Sequence, residues 1–503
     1  MNQLTSLFTK NPTLFLLAAI FIFGNCDDIK IDNYSADSYG GEKSLYDRSG
    51  SDYYPGTEKF DSLTFNPFVF TVDDNLSTFG VDVDAGSYTF GRKKINEGHL
   101  PPKESVRIEE YINYFKQDYP QPITTPFSVS VDGAPSPFRG DSLHILRIGL
   151  QGRDLTDSER KAWNLTFLVD ISGSMTSRLD LVKKSLYILV DQMQAGDKIS
   201  ICTYAGGVGT VLMPTTLSQN DAEGIKGIIA DLTAGGTTAM ASGLYNAYTV
   251  NLSGFINDGV NRVIVCSDGD ANVGSTSHEE ILTMISTYVE KGITLSTLGF
   301  GQGNYNDYLM ERLADRGNGN YYYIDSLKEA ERLFTEELVS VMEVIAKDVK
   351  IQVEFNPVAV IRYRLIGYEN RNIADQDFEN DTTDAGEIGA GHRVTALYEL
   401  ELTDLGSGNL GTVHLRYKAP NGDADIPLDV NISASAIANT FSEGSKRLRF
   451  TIGIAEYAEI LRGSPYVNTT LNMVEEIMMG AVSGSDDRDV EFLELIRKAQ
   501  TIE

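Results

Sequence analysis

The stretch Leu165-Thr166-Phe167-Leu168-Val169-Asp170-Ile171-Ser172-Gly173-Ser174-Met175 decides the reading of this chain. An unbroken apolar run is a strand buried on both faces, as in a parallel sheet. Here it ends on one carboxylate and two hydroxyls within a single turn. Working outward, strands are predicted at Leu165–Asp170, Lys198–Tyr204, Thr210–Met213, Arg262–Asp268, Ile293–Phe300 and Tyr321–Ile324. Helices are predicted at Leu179–Gln194, Ala222–Leu232, Ala239–Val250, Glu279–Lys291, Tyr308–Arg316 and Leu327–Ile345. Such alternation predicts an α/β fold with a doubly wound, mostly parallel sheet. Ligands of these folds sit at the carboxyl ends of the strands, where strand order reverses.

Two later loops reach that same edge. One is Gly235-Gly236-Thr237-Thr238; the other is Val263-Ile264-Val265-Cys266-Ser267-Asp268-Gly269. Asp170, Ser172, Ser174, Thr238 and Asp268 together offer two carboxylates and three hydroxyls. A hard cation such as Mg²⁺ takes about six oxygens at roughly 2.1 Å. Mostly neutral ligands leave such an ion electron-poor, so it accepts an outside carboxylate well. The competing reading is that Ser172 and Ser174 only cap the helix starting near Leu179. Asp268-Gly-Asp270-Ala-Asn272, with Glu279, also mimics calcium-loop spacing, but Val273 stands where that loop needs glycine. Asp270 and Asn272 are read instead as shaping the loop under Asp268.

Asp-x-Ser-x-Ser on the first loop, Thr on the second and Asp on the third resembles the metal-ion-dependent adhesion site (MIDAS) of von Willebrand factor A (VWA) domains. That likeness implies a VWA, Rossmann-like sheet and one divalent cation, Mg²⁺ first, with Mn²⁺ or Ca²⁺ as alternatives. It also implies a protein partner that supplies an Asp or Glu carboxylate as the last ligand. Thr238 lies five residues before Gly243, matching the second-loop Thr of these domains; Thr237 is the reserve choice. The stretches 299–306, 346–357, 363–371 and 384–392 further resemble a bacterial secreted family in which dedicated N- and C-terminal companion regions flank the A domain. The implied boundaries are 63–160 for the N-terminal companion, 161–346 for the VWA domain and 347–503 for the C-terminal companion.

The flanks carry other patterns. Ser77–Asp84 alternates as a strand, Tyr88–Glu97 reads as a helix, and Val106, Ile108, Tyr111, Ile112 and Phe115 form a helical apolar stripe. Phe127–Val131, Leu143–Leu150, Asp348–Phe355, Tyr363–Tyr368, Arg393–Leu402 and Gly411–Tyr417 read as strands. Residues 127–150 and 348–435 are therefore expected to form one β-sandwich interrupted by the α/β domain. A helical C-terminal segment follows, with helices at Ala455–Leu461, Met473–Met479 and Val490–Lys498.

At the N-terminus, Thr13–Phe23 is an apolar run behind Lys10, too short to span a bilayer but suited to a signal-peptide core. Cys26 follows directly, which resembles a bacterial lipoprotein processing site, the cysteine taking the lipid. A plain secretory signal with an incidental cysteine is the alternative. Asp27 to about Phe60 lacks any period and reads as a tether over 27–62. Asp27-Asp28 resembles acidic surface-export signals. The expected location is the cell envelope, lipid-anchored at the outer membrane, on its periplasmic or surface face.

The formal charge of −29 over 503 residues argues against nucleic acid and against anionic lipid, leaving the membrane only the N-terminal anchor. Cys202 and Cys266 are expected on strands flanking the Asp170 strand from opposite sides, roughly 10 Å apart, too far for a disulfide. The histidines at 99, 144, 278, 392 and 414 are scattered, and neither a nucleophile–base constellation nor a phosphate loop is present. The chain is therefore expected to be no enzyme. The alternatives are an envelope scaffold whose metal is only structural and, less favoured, a metal-dependent hydrolase.

Overall fold

The computed structural model describes residues 64–502 except 141, 157, 219–220, 238, 270–277, 302–305, 381–382, 384, 404–407, 421, 423 and 485. The expected signal segment, Cys26 and the tether lie outside the described residues, as do Thr238, Asp270 and Asn272.

The α/β part is a six-stranded sheet in the order Tyr321–Tyr323, Ile293–Gly299, Val260–Ser267, Trp163–Asp170, Lys198–Tyr204, Val208–Thr216. Every pairing is parallel except the last, where Val208–Thr216 runs antiparallel along the edge. All eight residues of Trp163–Asp170 are buried, as both-face coverage demands. Leu165, Phe167 and Val169 join one core with Val182, Leu186 and Leu189 of the helix Leu179–Gln192. Leu168 faces the other core, with Leu244, Tyr248, Ile285 and Leu313. The chain leaves the Asp170 strand toward Lys198–Tyr204 on one side and later adds Val260–Ser267 on the other. Strand order thus reverses at Asp170, and a crevice at the carboxyl edge results. Cys202 and Cys266 lie on these two flanking strands, buried and free. Tyr321, Tyr322 and Tyr323 are buried packing.

The expected single helix Leu327–Ile345 is not continuous. It splits into Leu327–Glu331, a π turn at Arg332–Glu336 and Leu338–Met342, and the chain is already strand at Val344. Buried charges hold this break. Glu329 accepts from Arg332 Nε at 2.8 Å and from Arg92 Nη2 at 2.8 Å, and Arg92 also binds Asp325. Apolar periodicity carries no information about partners more than 200 residues away in sequence.

The flanking regions interleave. One antiparallel sheet runs Val69–Phe70, Val360–Ile366, Arg393–Leu402, Leu143–Gly152, Phe127–Pro135, with Leu150 opposite Val394 and Ile148 opposite Ala396. A second joins Ile388–Gly389, Val344–Phe355, Asn409–Lys418 and Asp425–Ser433, with Leu76–Gly80 also pairing Val344–Phe355. Their inner faces share one core that includes Leu146, Ile148, Tyr398, Ile351, Val353 and Leu415. Strand Asp425–Ser433 was not expected; it tolerates Pro427 because it is an edge. Helices from both chain ends form a third layer: Gly86–Asn96 and Ile108–Asn113 pack with Lys446–Arg462, Leu471–Ala481 and Asp487–Ala499. Aromatic rings fill it, Tyr88 on Tyr114 at 4.3 Å and Phe115 on Phe492 at 5.1 Å between centroids.

Arg107 joins this assembly to the α/β sheet: its Nη1 donates to Asp307 Oδ2 at 2.6 Å, and within the α/β part Tyr321 Oη donates to Asp307 Oδ1 at 2.6 Å and holds that carboxylate in place. Gly86 lies flat on Tyr321; a Cβ there would fall 2.1 Å from the ring, so the helix can approach the sheet only with glycine at this point.

A buried charge cluster fastens the helical layer to the sandwich. Arg364 Nε donates to Glu399 Oε2 at 2.7 Å and its Nη1 to Glu459 Oε1 at 2.9 Å, while Arg139 reaches Glu399, Glu456 and Glu459. Three buried carboxylates face two guanidiniums. Burial pushes the Glu456 carboxyl up to about 7 against the pull of Arg139, with the charges of Glu459 and Glu399 adding to the rise. A carboxyl raised in the folded state binds more protons there than in the unfolded chain. Its stabilisation is therefore complete below about pH 4.5 and is lost as pH rises toward about 7. Glu456→Gln should accordingly flatten the fall of the denaturation midpoint between those pH values; an unchanged slope would refute this account.

Candidate metal centre

Asp170, the last residue of its strand, is fully buried at the carboxyl edge of the sheet. Its Oδ1 accepts the backbone N–H of Ser172 at 2.9 Å, folding the first loop back over the strand end. Its Oδ2 accepts from Ser267 Oγ at 3.0 Å, and Ser267 Oγ in turn accepts from Tyr204 Oη and from the Gly269 N–H, both at 3.0 Å. The carboxylate is thus held from two neighbouring strands. Ser172 and Ser174 do not cap a helix: no side-chain cap bond is present at Ser172, and the two hydroxyls meet each other at 3.0 Å. The capping reading is set aside on that geometry.

Asp268 is also fully buried, directly after the strand Val260–Ser267. Arg178, which donates to the Ser174 carbonyl at 2.6 Å, brings its guanidinium 3.8 Å from Asp268 Oδ2. Gly269 takes φ +70°, and a Cβ on it would stand 2.8 Å from the Asn306 carbonyl; the third loop can turn away from Asp268 there because the residue is glycine. Burial raises the Asp170 carboxyl above its usual range, and the nearby Asp268 charge raises it further.

Backbone bonds dock the second loop on the first: Gly235 N–H donates to the Ile171 carbonyl at 2.7 Å, and Gly173 N–H donates to the Gly236 carbonyl at 3.2 Å. Thr237 is exposed, with its hydroxyl above Gly206. Gly243 lets the following helix lie against Tyr204, where a Cβ would come 2.8 Å from the Tyr204 Cβ. Of the five residues expected to act together, Asp170, Ser172 and Ser174 on the first loop and Asp268 on the third meet at the sheet edge, and Thr238 of the second loop lies outside the described residues.

The donor set is all oxygen and suits a hard cation. Among the described residues there is no group of three or more His, Cys, Asp or Glu side chains arranged to hold a metal. The two carboxylates here depend on hydroxyls to complete a shell. Ser267, Tyr204 and Arg178 escaped the sequence reading. Ser267 had a visible signal, a hydroxyl at the end of an otherwise apolar strand; Tyr204 looked like any strand aromatic.

The histidines form no such group. Burial pushes the His392 imidazole down to about 4, and its Nδ1 accepts the Gly389 N–H at 3.2 Å. Burial raises the Cys202 thiol to about 11 and the Cys266 thiol further still, so neither is a poised nucleophile. No described helix is long and apolar enough to cross a membrane.

The sheet order, the three-loop edge and the sequence agree on a class, the von Willebrand factor type A proteins: that domain family matches residues 164–336, and a family described as von Willebrand factor matches 54–146. Residues 340–502 match the family described as "Uncharacterized protein YfbK, C-terminal". The chain is 37% identical over 483 residues to the Escherichia coli (strain K12) protein YfbK, covering 89% of this chain and 82% of that one. It belongs to the YfbK family. Human inter-alpha-trypsin inhibitor heavy chain H3 is 28% identical over 174 residues, 32% of this chain and 19% of that one. Among solved structures, a von Willebrand factor type A protein from Catenulispora acidiphila aligns at 15% identity and TM-score 0.45, covering 76% of this chain and 91% of the other.

Proposed function

We propose that this chain is a non-catalytic envelope lipoprotein, anchored through Cys26, that grips a protein partner through one divalent cation. Asp170, Ser172, Ser174, Thr238 and Asp268 would hold the ion, Mg²⁺ by first choice and Mn²⁺ or Ca²⁺ by second. When bound, the ion supplies an electrophilic position for an Asp or Glu carboxylate of the partner. One observation carries the reading: two fully buried carboxylates share the sheet edge with two hydroxyls that cap nothing and face each other. Burying two anions together is costly without a positive charge between them. Arg178 serves one of them at 3.8 Å, and a cation would serve both.

Among the described residues no histidine base stands beside the loops, and His392 is buried and neutral at ordinary pH, which favours binding over hydrolysis. A purely structural ion is the second reading, supported by the way the first and second loops already clasp each other through backbone bonds. Calorimetric titration of Mg²⁺, Mn²⁺ and Ca²⁺ into the purified chain tests the site. One binding event is expected, weakened at least about tenfold in Thr238→Ala by loss of a ligand and unchanged in Thr237→Ala. No binding at millimolar ion would overturn the metal reading; stabilisation by the ion with no carboxylate-dependent partner would leave the structural one.

A further inference from the structure

Beyond residue 63, the two longest runs without Asp, Glu, Lys or Arg are 199–220 and 232–257. The chain as a whole is 22% charged. The fold puts the two runs side by side. The first contains the edge strand Val208–Thr216; the second contains the helix Met240–Ser253 that packs against it. Asn246 Nδ2 donates to Thr210 Oγ1 at 3.0 Å, and Gly254 closes on Pro214. Val208, Val211 and Met213 are exposed on the strand, Met213 by 58%, and Tyr245 is exposed on the helix by 60%. The nearest charge on the neighbouring strand, Lys198, turns its ammonium to the Gly254 carbonyl at 2.8 Å.

An edge nine residues long presents unpaired backbone N–H and C=O groups, and natural sheets blunt such edges with lysines, inward charges or a covering element. Lysines and inward charges are absent here; Pro214 and two register irregularities in the pairing with Lys198–Tyr204 are the interruptions, and the edge residues from Val208 to Met213 carry no charge. We infer that this neutral edge is an interface between two copies of the chain, joined Val208–Thr216 to Val208–Thr216 in antiparallel fashion about a two-fold axis. An antiparallel pairing of one strand with its own copy is self-complementary, as an isologous interface requires. Electrostatics selects the same place. Each copy carries −29, and charges repel across about 8 Å at physiological salt, so two copies approach most easily where neither presents charge. The carboxyl edge with Asp170 stays open in this arrangement, and the inference does not depend on the cation.

Light scattering of the full chain in detergent, corrected for bound detergent, gives the test. A mass of two chains is expected through the micromolar range. Val211→Lys and Met213→Lys each set like charges against one another across the axis and should raise the dissociation constant at least about 100-fold. Val358→Lys, at a sandwich position 66% exposed, should leave the dimer intact. Unchanged circular dichroism checks that each variant folds. A monomeric parent overturns the inference, and that is the result if the N-terminal segment of the same chain or another protein covers the edge. A dimer that both lysine variants leave untouched overturns it equally.

Discussion

Asp170→Ala should abolish cation binding while leaving the sheet folded. At an effective dielectric of about 20, a unit charge at 4 Å is worth about 4 kcal/mol, and a divalent ion ligated by this carboxylate would lie closer than that. Losing one of two carboxylates should therefore weaken binding by about a thousandfold or more. Thermal melting reads this directly. A ligand at one hundred times its dissociation constant stabilises by about 2.7 kcal/mol, so Mg²⁺ should raise the parent midpoint and leave Asp170→Ala and Asp268→Ala where they stand in EDTA. The isosteric Asp170→Asn sharpens the test. Burial and the Asp268 charge hold the Asp170 carboxyl above its usual range, so its ionised form opposes folding when no cation is present. In EDTA, Asp170→Asn should melt no lower than the parent. A cation-induced shift that persists in both Ala variants would sink the site.

Arg364→Ala should be the most damaging substitution outside the sheet edge, costing about 3–5 kcal/mol. The guanidinium is 2% exposed, bridges Glu399 of the sandwich to Glu459 of the long C-terminal helix and lies 4.1 Å from the Tyr466 ring centroid. Without it, Arg139 alone faces three buried carboxylates. The cost arises from stranding those anions more than from losing the pair itself. Arg362→Ala is the control, because its partner Glu401 is 26% exposed and water can replace the contact; surface pairs are worth about 0–1 kcal/mol. Urea denaturation distinguishes them. A change under about 1 kcal/mol for Arg364→Ala would show that the cluster contributes little to joining the layers.

These two sites differ in how far the sequence announced them. The carboxyl edge that gathers Asp170 and Asp268 was legible because its information is local. Val169-Asp170 ends one apolar strand, Ser267-Asp268 another, and Gly235-Gly236 marks a loop between helices. Once a parallel sheet is inferred, strand ends must fall on one edge, and the residues there must meet. The support around Asp170 was not legible. Ser267 and Tyr204 reach it from two different strands, and which strands flank Asp170 on which side is a matter of topology. The Arg364 cluster was invisible for the same reason. Arg139, Arg364, Glu399 and Glu459 are spread over more than 300 residues and carry no spacing that links them.

The sequence by itself determined the α/β alternation, the carboxyl-edge position of Asp170 and Asp268, the sandwich strands on either side and the separation of Cys202 from Cys266. Each follows from apolar period or strand spacing, which depend on a few neighbouring residues. Tertiary structure alone decided the break of the predicted helix Leu327–Ile345 by the Arg92–Glu329–Arg332 charges and the interleaving of both chain ends into one aromatic layer. It alone also brought the charge-free strand Val208–Thr216 beside the charge-free helix Met240–Ser253. In all three, the free energy resides in contacts between residues remote along the chain. Buried charges and shared faces are fixed only when the whole chain has chosen its neighbours.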